Sequence, residues 1–509
     1  MAGTASPVDQ DVLIVGAGLS GIGMAAHLQM NCPDRSFALA ERRANLGGTW
    51  DLFRYPGIRS DSDMHTLGFV FEPWKHEKSI ADGPAILDYL HRIVDERGIR
   101  DKIRFNAKVI GADWDSAAAR WTVTMEDDKG AVTTTTARWL YLGSGYYDYD
   151  EPFDAEFAGR GDFAGQIIHP QFWPKDLDYA GKKAVVIGSG ATAVTIVPSM
   201  TEKGDGKGAA HVTMLQRTPT WYFIRPAKDA FANTLRKFLP EKLAYKITRF
   251  KNVRLQDIAF RRAREKPEKV KEFLTKKLKD SLGDRYDAQA FTPPYNPWEQ
   301  RLCLVPDADF FEAMKADKAS VVTDHIERFD KTGIQLKSGK HLDADIIITA
   351  TGLKLAVAGK IPVRVDGEAV AWNEHYYYKA CMFSNVPNFS VVFGYLNASW
   401  TLRADIVSEY VCRVLNHMQQ TGTDVATPVL ADPDSLTEEN IFDFSSGYIQ
   451  RALHIMPKNA DKLPWRLSQT YVQDRIDMRT GEIADGVLTF TKAGDAKAAP
   501  APAELEAAE

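Results

Sequence analysis

Asp11-Val12-Leu13-Ile14-Val15-Gly16-Ala17-Gly18-Leu19-Ser20-Gly21 is the stretch that decides the fold. Asp11 to Val15 is short, apolar and β-rich, which suits a strand buried in a parallel sheet. It runs into a glycine turn and then into a segment with apolar Ile22, Ala25, Ala26 and Leu28 at helical spacing. Each glycine has its own task. Gly16 turns the chain tightly, Gly18 lets the backbone touch a pyrophosphate, and Gly21 lets helix and strand pack closely. The helix N-terminus then faces the phosphate charge. A second strand, Ser36 to Ala40, ends in Glu41, 20 residues after Gly21. That spacing suits a carboxylate accepting hydrogen bonds from an adenosine ribose.

The pattern recurs. Ala184 to Ile187 leads into Gly188-Ser189-Gly190-Ala191-Thr192-Ala193, with alanine in the third glycine's place. The next strand, His211 to Leu215, ends in Gln216-Arg217 rather than an acid. A cation there suits the 2′-phosphate of NADP, which a carboxylate would repel. This half therefore prefers NADPH, and the first half holds a different dinucleotide. Two such folds in one chain characterise flavoproteins that pass hydride from NADPH to FAD. Asp345 to Gly352 and Leu140 to Gly145 read as further strands with glycine exits, placed to carry the chain between domains.

Composition narrows the class. The chain has 509 residues, too many for one core, so two or three domains are expected. It is 44% apolar and 26% charged, an ordinary globular balance. Its net charge of -5 argues against nucleic acid as a partner. No apolar run approaches a membrane span, and the N-terminus lacks a signal-peptide pattern, so a cytoplasmic protein is expected. The four cysteines contain no Cys-x-x-Cys pair, and the 11 histidines form no His-Glu-x-x-His pattern. No metal site is expected, and a dithiol-based disulfide reductase is excluded.

Between the two fingerprints lies Phe163-Ala164-Gly165-Gln166-Ile167-Ile168-His169-Pro170-Gln171-Phe172-Trp173-Pro174. At every fixed position this resembles the FxGxxxHxxxWP signature of type I (class B) Baeyer–Villiger flavin monooxygenases. Gly47 to Asp63 (GGTWDLFRYPGIRSDSD) and Tyr295 to Pro306 (YNPWEQRLCLVP) look closest to the ethionamide-activating group of that family. The resemblance extends from Asp11 to about Phe490. It implies FAD and NADPH as cofactors and dioxygen plus a small ketone or sulfide as substrates. One oxygen atom would pass from a C4a-peroxyflavin to the position beside a carbonyl, giving an ester or lactone, and sulfur of thioethers or thioamides would be a second target.

The resemblance also assigns roles. Arg301 matches the family's catalytic arginine, an always-charged guanidinium suited to stabilising anionic oxygen. Asp61 matches the aspartate that orients it, with Arg59 and Ser60 beside the NADP. Gly16, Gly18, Ser20, Gly21, Glu41, Thr49, Trp50, Asp51, Leu52, Asp61 and Val109 fall at FAD-contacting positions. Gly188, Ser189, Gly190, Ala191, Thr192, Ala193, Gln216 and Arg217 fall at NADP positions. Phe163, Gly165, His169, Trp173 and Pro174 form a hinge-like signature. One departure stands out: Gln300 replaces the lysine that often precedes the catalytic arginine, which leaves Arg217, with Gln216, to carry the NADP preference.

The expected architecture is α/β: two Rossmann-like dinucleotide-binding domains, for FAD and NADP, with a helical insertion. The FAD domain takes 7–150 and 353–492, with a linker at 151–162. The NADP domain takes 163–222 and 301–352, with helices in 223–300 and an Ala/Pro/Glu-rich disordered tail at 493–509. A last long helix is expected from about Asn397–Trp400 to Met418, its N-terminus toward the flavin by analogy of fold. Residues 241–280 hold 14 Lys/Arg against 6 Asp/Glu with interleaved apolar residues, read as a solvated basic face or, alternatively, a peripheral membrane contact or a guide for the anionic dinucleotide. Two competing functions remain open at this point. One is a flavin N- or S-oxygenase that leaves ketones alone, the other a sensor that binds FAD and NADP without turnover.

Overall fold

The structure, a computed structural model, describes residues 8–201, 207–300 and 302–495. Its first sheet is built on β1 (Gln10–Val15), which pairs in parallel with both β2 (Phe37–Ala40) and the long strand Val132–Leu142. Val12 and Ile14 point to one face and Leu13 and Val15 to the other, and all four are buried. That two-sided burial explains why the strand reads as a continuous apolar run rather than an alternating one. An antiparallel extension through Arg120–Glu126 and Lys108–Asp115 widens the sheet.

Helix α1 (Leu19–Asn31) follows the glycine turn and packs against the long C-terminal helix Trp400–Thr421. The C-terminal part of the chain thus completes the core begun at the N-terminus. Helix Trp400–Thr421 starts at the expected place and runs three residues beyond Met418, to a left-handed Gly422.

The second sheet contains five parallel strands among the described residues, in the order Ala319–Thr323, His211–Gln216, Lys183–Ile187, Ile346–Thr349 and Gln166–Ile168. β3 (Lys183–Ile187) leads into α2 (Ala191–Thr201), repeating the strand–turn–helix order of β1 and α1. Two passages join the sheets, Tyr147–Pro152 and Leu353–Leu355, and they run antiparallel to each other. The family signature sits at this junction. Gln166–Ile168 is an edge strand, Phe163 packs in a cluster with Phe329, and buried Gln171 donates to the Asp148 carbonyl at 2.9 Å.

Parallel strands Tyr222–Arg225 and Cys303–Pro306 flank a helical excursion comprising Ala230–Phe238, α3 (Glu241–Glu265), Pro267–Leu282 and Ala288–Phe291. One basic residue of α3 departs from a solvated face. Arg249 is buried, donating to the carbonyls of His65 at 3.0 Å and Gly68 at 2.6 Å and pairing with Asp405 at 3.2 Å. Asp405 also meets His27 at 3.2 Å and accepts from the Val70 amide at 3.0 Å, so the buried charges are fully partnered. Removing either partner of such a pair leaves an uncompensated charge and costs about 3–5 kcal/mol. Sequence spacing alone does not separate this arginine from its solvated neighbours.

No helix among the described residues is long and apolar enough to cross a membrane. Residues 496–509, most of the expected tail, lie outside the described residues.

Candidate active site

A cavity of about 630 Å³ opens between the sheets, within the size range of cofactor sites. Its wall includes Gly16, Gly18, Ser20 and Glu41 from the first turn and Ala191 and Thr192 from the second. The first glycine turn and the start of α2, just after the second turn, therefore open into one space.

At the first turn, Gly16 has φ +98°, and a side chain there would strike the Gly143 carbonyl. Gly18 caps α1 without any side-chain hydrogen bond, so the first amides of the helix stay available to an anion. Glu41 is buried and grips the turn: its carboxylate accepts from the amides of Ala17 at 2.7 Å and Arg43 at 2.9 Å. Burial pushes its pKa up, opposed by those two amides and by the nearby arginines. Each oxygen keeps lone-pair capacity beyond one amide, which suits ribose hydroxyls as further donors.

The Gly47–Asp63 stretch forms another wall, with Thr49, Trp50, Arg59, Ser60 and Asp61 lining the cavity. Thr49 Oγ1 lies 3.0 Å from the Tyr149 hydroxyl. Asp51 and Leu52 stand behind this lining. Asp51 is buried between Arg43, at 2.7 Å, and Arg54, at 2.6 Å, and so acts as the clamp of its loop. Val109 lines the cavity beside Lys108 and Ile110. Ser20 Oγ accepts from the Trp400 indole at 2.8 Å, which ties the start of α1 to the start of the C-terminal helix.

Asp61 is exposed at the cavity surface, with Tyr55 close by. Burial, with the Asp61 charge adding to it, pushes the Tyr55 phenol well above its ordinary range, while a hydrogen bond to Thr192 pulls the other way. Tyr55 thus joins the first wall to the second turn. Arg59 pairs with Asp309, which sits at the start of helix Asp309–Lys315 in the second half. Arg301 lies outside the described residues.

The second turn is crowded at its first glycine, where a β-carbon on Gly188 would lie 2.3 Å from the Ala350 carbonyl oxygen, and open at its middle one. Gly190 is exposed, and a β-carbon there would meet nothing within 4 Å. Ser189 Oγ donates to the Thr218 carbonyl at 2.9 Å, and Ala193 is buried against the sheet. Arg217 is exposed just after the strand His211–Gln216. Gln216 differs: it is buried, and its amide donates to the Ala290 carbonyl at 2.7 Å and to Thr323 Oγ1 at 2.9 Å. Its side chain braces the helical excursion.

In the signature, a side chain on Gly165 would collide with the Asp345 carbonyl, and Trp173 packs on the core of the second sheet. Pro174 is exposed. His169 Nδ1 accepts from the Gln171 amide at 3.2 Å, and burial holds the imidazole below its ordinary pKa.

Tyr55, Ser144, Tyr149 and Lys360 also line the cavity. Sequence reading named none of them as site residues, although Ser144 lies in the Leu140–Gly145 exit and Tyr55 in the Gly47–Asp63 stretch. Ser144 Oγ is buried with no hydrogen-bond partner among the described residues, an acceptor and donor set into the wall beside Gly16. The unfilled glycine cradle, the uncapped α1 amides and this hydroxyl fit a dinucleotide. No cluster of His, Cys, Asp or Glu that could hold a metal occurs among the described residues.

Two Rossmann-like halves sharing one cavity define an oxidoreductase that handles two dinucleotides. Comparison with known proteins sharpens this. Residues 14–76 match the NAD(P)-binding Rossmann-like domain and residues 76–283 match the flavin-binding monooxygenase-like family. The chain is 48% identical over 486 residues to a probable FAD-binding monooxygenase AlmA of Acinetobacter sp, covering 95% of this chain and 97% of that protein. It is 50% identical over 483 residues to the FAD-containing monooxygenase EthA of Mycolicibacterium smegmatis, covering 95% of this chain and 97% of that one. An oxidized steroid monooxygenase bound to NADP shares the fold, with a TM-score of 0.77 at 21% identity over 95% of this chain and 99% of the other. The chain belongs to the family of FAD-containing flavin monooxygenases, oxidoreductases that pair the flavin with NADP.

Proposed function

We propose that this flavin monooxygenase uses NADPH and dioxygen to insert one oxygen atom beside a ketone carbonyl, giving an ester or lactone. The observation that carries the reading is the shared cavity, into which the first glycine turn, the start of α2 after the second turn, Arg59 and Asp61 open. The FAD-binding part takes 7–150 and 353–492, and the NADP-binding part takes 163–222 and 301–352, on either side of the paired passages.

Bound FAD, reduced by NADPH, would supply the activation of dioxygen. The chain's own residues do the rest. The turn Gly16–Gly21 and the amides opening α1 hold the flavin's pyrophosphate, and Glu41 holds its ribose. Gly188–Ala193 receives the second pyrophosphate and Arg217 the 2′-phosphate. Arg301 stabilises negative charge developing on the substrate oxygen, worth several kcal/mol at a desolvated site. Asp61 orients that guanidinium, with Tyr55 and Arg59 fixing the loop around it. Trp50 and Trp400 present apolar walls that limit water.

Heteroatom oxygenation is the second reading. It is favoured by the flavin-binding monooxygenase-like match, a description that specifies oxygen transfer without a ketone. A panel of linear, cyclic and aryl ketones plus thioethers separates the two by product analysis. Ester or lactone formation from ketones is the expected result. Sulfoxide alone, with ketones returned unchanged, would select the second reading, and hydrogen peroxide alone would overturn both.

A further inference from the structure

Helix α3 carries two faces. Ala244, Tyr245, Thr248, Arg249 and Asn252 are buried against the body of the protein. Opposite them, Leu243, Ile247, Phe250 and Ile258 recur at helical spacing along one exposed stripe. Leu243 is 45% exposed and Phe250 59%. The preceding helix Ala230–Phe238 packs on α3 and extends the stripe with Phe231 and Phe238, the latter 79% exposed. An apolar patch of this extent on a water-soluble surface marks an interaction site.

The rim of the patch is cationic. Lys242, Lys246, Arg254, Arg261 and Arg262 are exposed on α3. Lys251 lies over the Phe231 ring at 4.3 Å and Arg254 over Phe250 at 5.5 Å, so cation and ring are presented together. No ion pair to a described residue engages Lys242, Lys246 or Arg254. Residues 241–280 carry a surplus of eight positive charges in a chain of net -5, leaving -13 on the rest. Positive charge is therefore concentrated in the helical excursion that carries this face.

We propose that this face docks on an anionic lipid surface. Phe231, Phe238, Leu243, Ile247 and Phe250 would enter the boundary between headgroups and acyl chains, while the flanking lysines and arginines reach up to the phosphates. Charge complementarity chooses this occupant over a second copy of the chain, because two such faces would bring like charges together. The inner side of the same helix supplies Val253, Gln256 and Phe260 to a small recess that includes Ala398, a residue that also lines the main cavity. A lipid-docked α3 would place the cavity next to a reservoir of apolar molecules. The inference holds whichever substrate atom is oxygenated.

The test is co-sedimentation of the full-length holoenzyme with phosphatidylcholine vesicles containing phosphatidylglycerol, against phosphatidylcholine alone, at low salt and at about 0.5 M salt. The protein is expected to pellet only with the anionic vesicles at low salt. Phe238→Ser/Phe250→Ser and Lys242→Glu/Lys246→Glu/Arg254→Glu are each expected to lower binding about tenfold or more, with flavin content and NADPH oxidation kept. If the apolar variant loses its flavin, the charge variant, which alters only exposed side chains, decides alone. Wild type remaining in the supernatant with anionic vesicles overturns the proposal. So does a dimer in light scattering that Phe238→Ser/Phe250→Ser converts to monomer, since a second copy would then cover the face.

Discussion

The two glycine turns share a pattern and a crowded first glycine but differ at their second and third positions. At the first, a β-carbon on Gly21 would lie 1.8 Å from the Gly16 carbonyl oxygen, and buried Glu41 pins the Ala17 amide. At the second, Gly190 faces open space, the third position tolerates Ala193, and Arg217 stands exposed. The contrast suits two modes of use. A strand–helix crossing closed on glycine suits a cofactor that stays through many turnovers, and an open middle position suits one that must enter and leave.

The largest expected effect comes from adding one methyl group to each turn. Gly21→Ala forces backbone apart at the crossing of strand and helix. It should cost about 3 kcal/mol or more and yield protein with little bound flavin, read from the visible absorbance per chain and the melting temperature. Gly190→Ala should fold within about 0.5 kcal/mol of wild type and retain its flavin. Equal damage at both turns would break the comparison.

Glu41→Gln sharpens the first side. A glutamine presents one amide nitrogen where a carboxylate oxygen accepted from Ala17 or Arg43, setting donor against donor at a buried site. The expected cost is about 1–3 kcal/mol, seen as flavin loss on dialysis. On the second side, Arg217→Ala should raise KM for NADPH about tenfold while leaving KM for NADH within about twofold, the size of one charge-assisted contact. If wild type already uses NADH as efficiently as NADPH, the role assigned to Arg217 fails.

A smaller effect concerns the junction between the halves. Burial depresses the folded-state pKa of His169, as it does for His65 and His375. The unfolded chain then binds protons more readily than the folded one below an ordinary histidine value of about 6.5, so stability is full above that pH and falls as the pH drops through the window beneath it. Melting temperature should be level from pH 7 to 8 and decline toward pH 5.5. His169→Gln should flatten part of that slope, and an unchanged slope would remove His169 from the account.

What could be read from the sequence follows from how local the physics is. Strand, turn and helix at Gln10–Asn31 and Lys183–Thr201 are each set by neighbouring residues, and both emerged within one residue of the expected strand start. The positions of Glu41 and Arg217 at the ends of their strands were legible because they depend on distance along the chain. Tyr55, Ser144 and Lys360 were not, since they reach the cavity from loops that only tertiary packing brings together. Arg249 and Gln216 show the converse. Both look like surface polar residues, and both are buried because distant carbonyls happen to meet them.

The central claim is that hydride delivery and oxygen transfer are separate tasks of one cavity, with Arg301 serving the second. Anaerobic flavin reduction by NADPH and aerobic ester formation from a ketone, measured side by side for wild type and Arg301→Ala, test it most directly. Flavin reduction within about twofold of wild type with ester lowered about a hundredfold or more is the predicted result. Ester formed at the wild-type rate by the variant would contradict it.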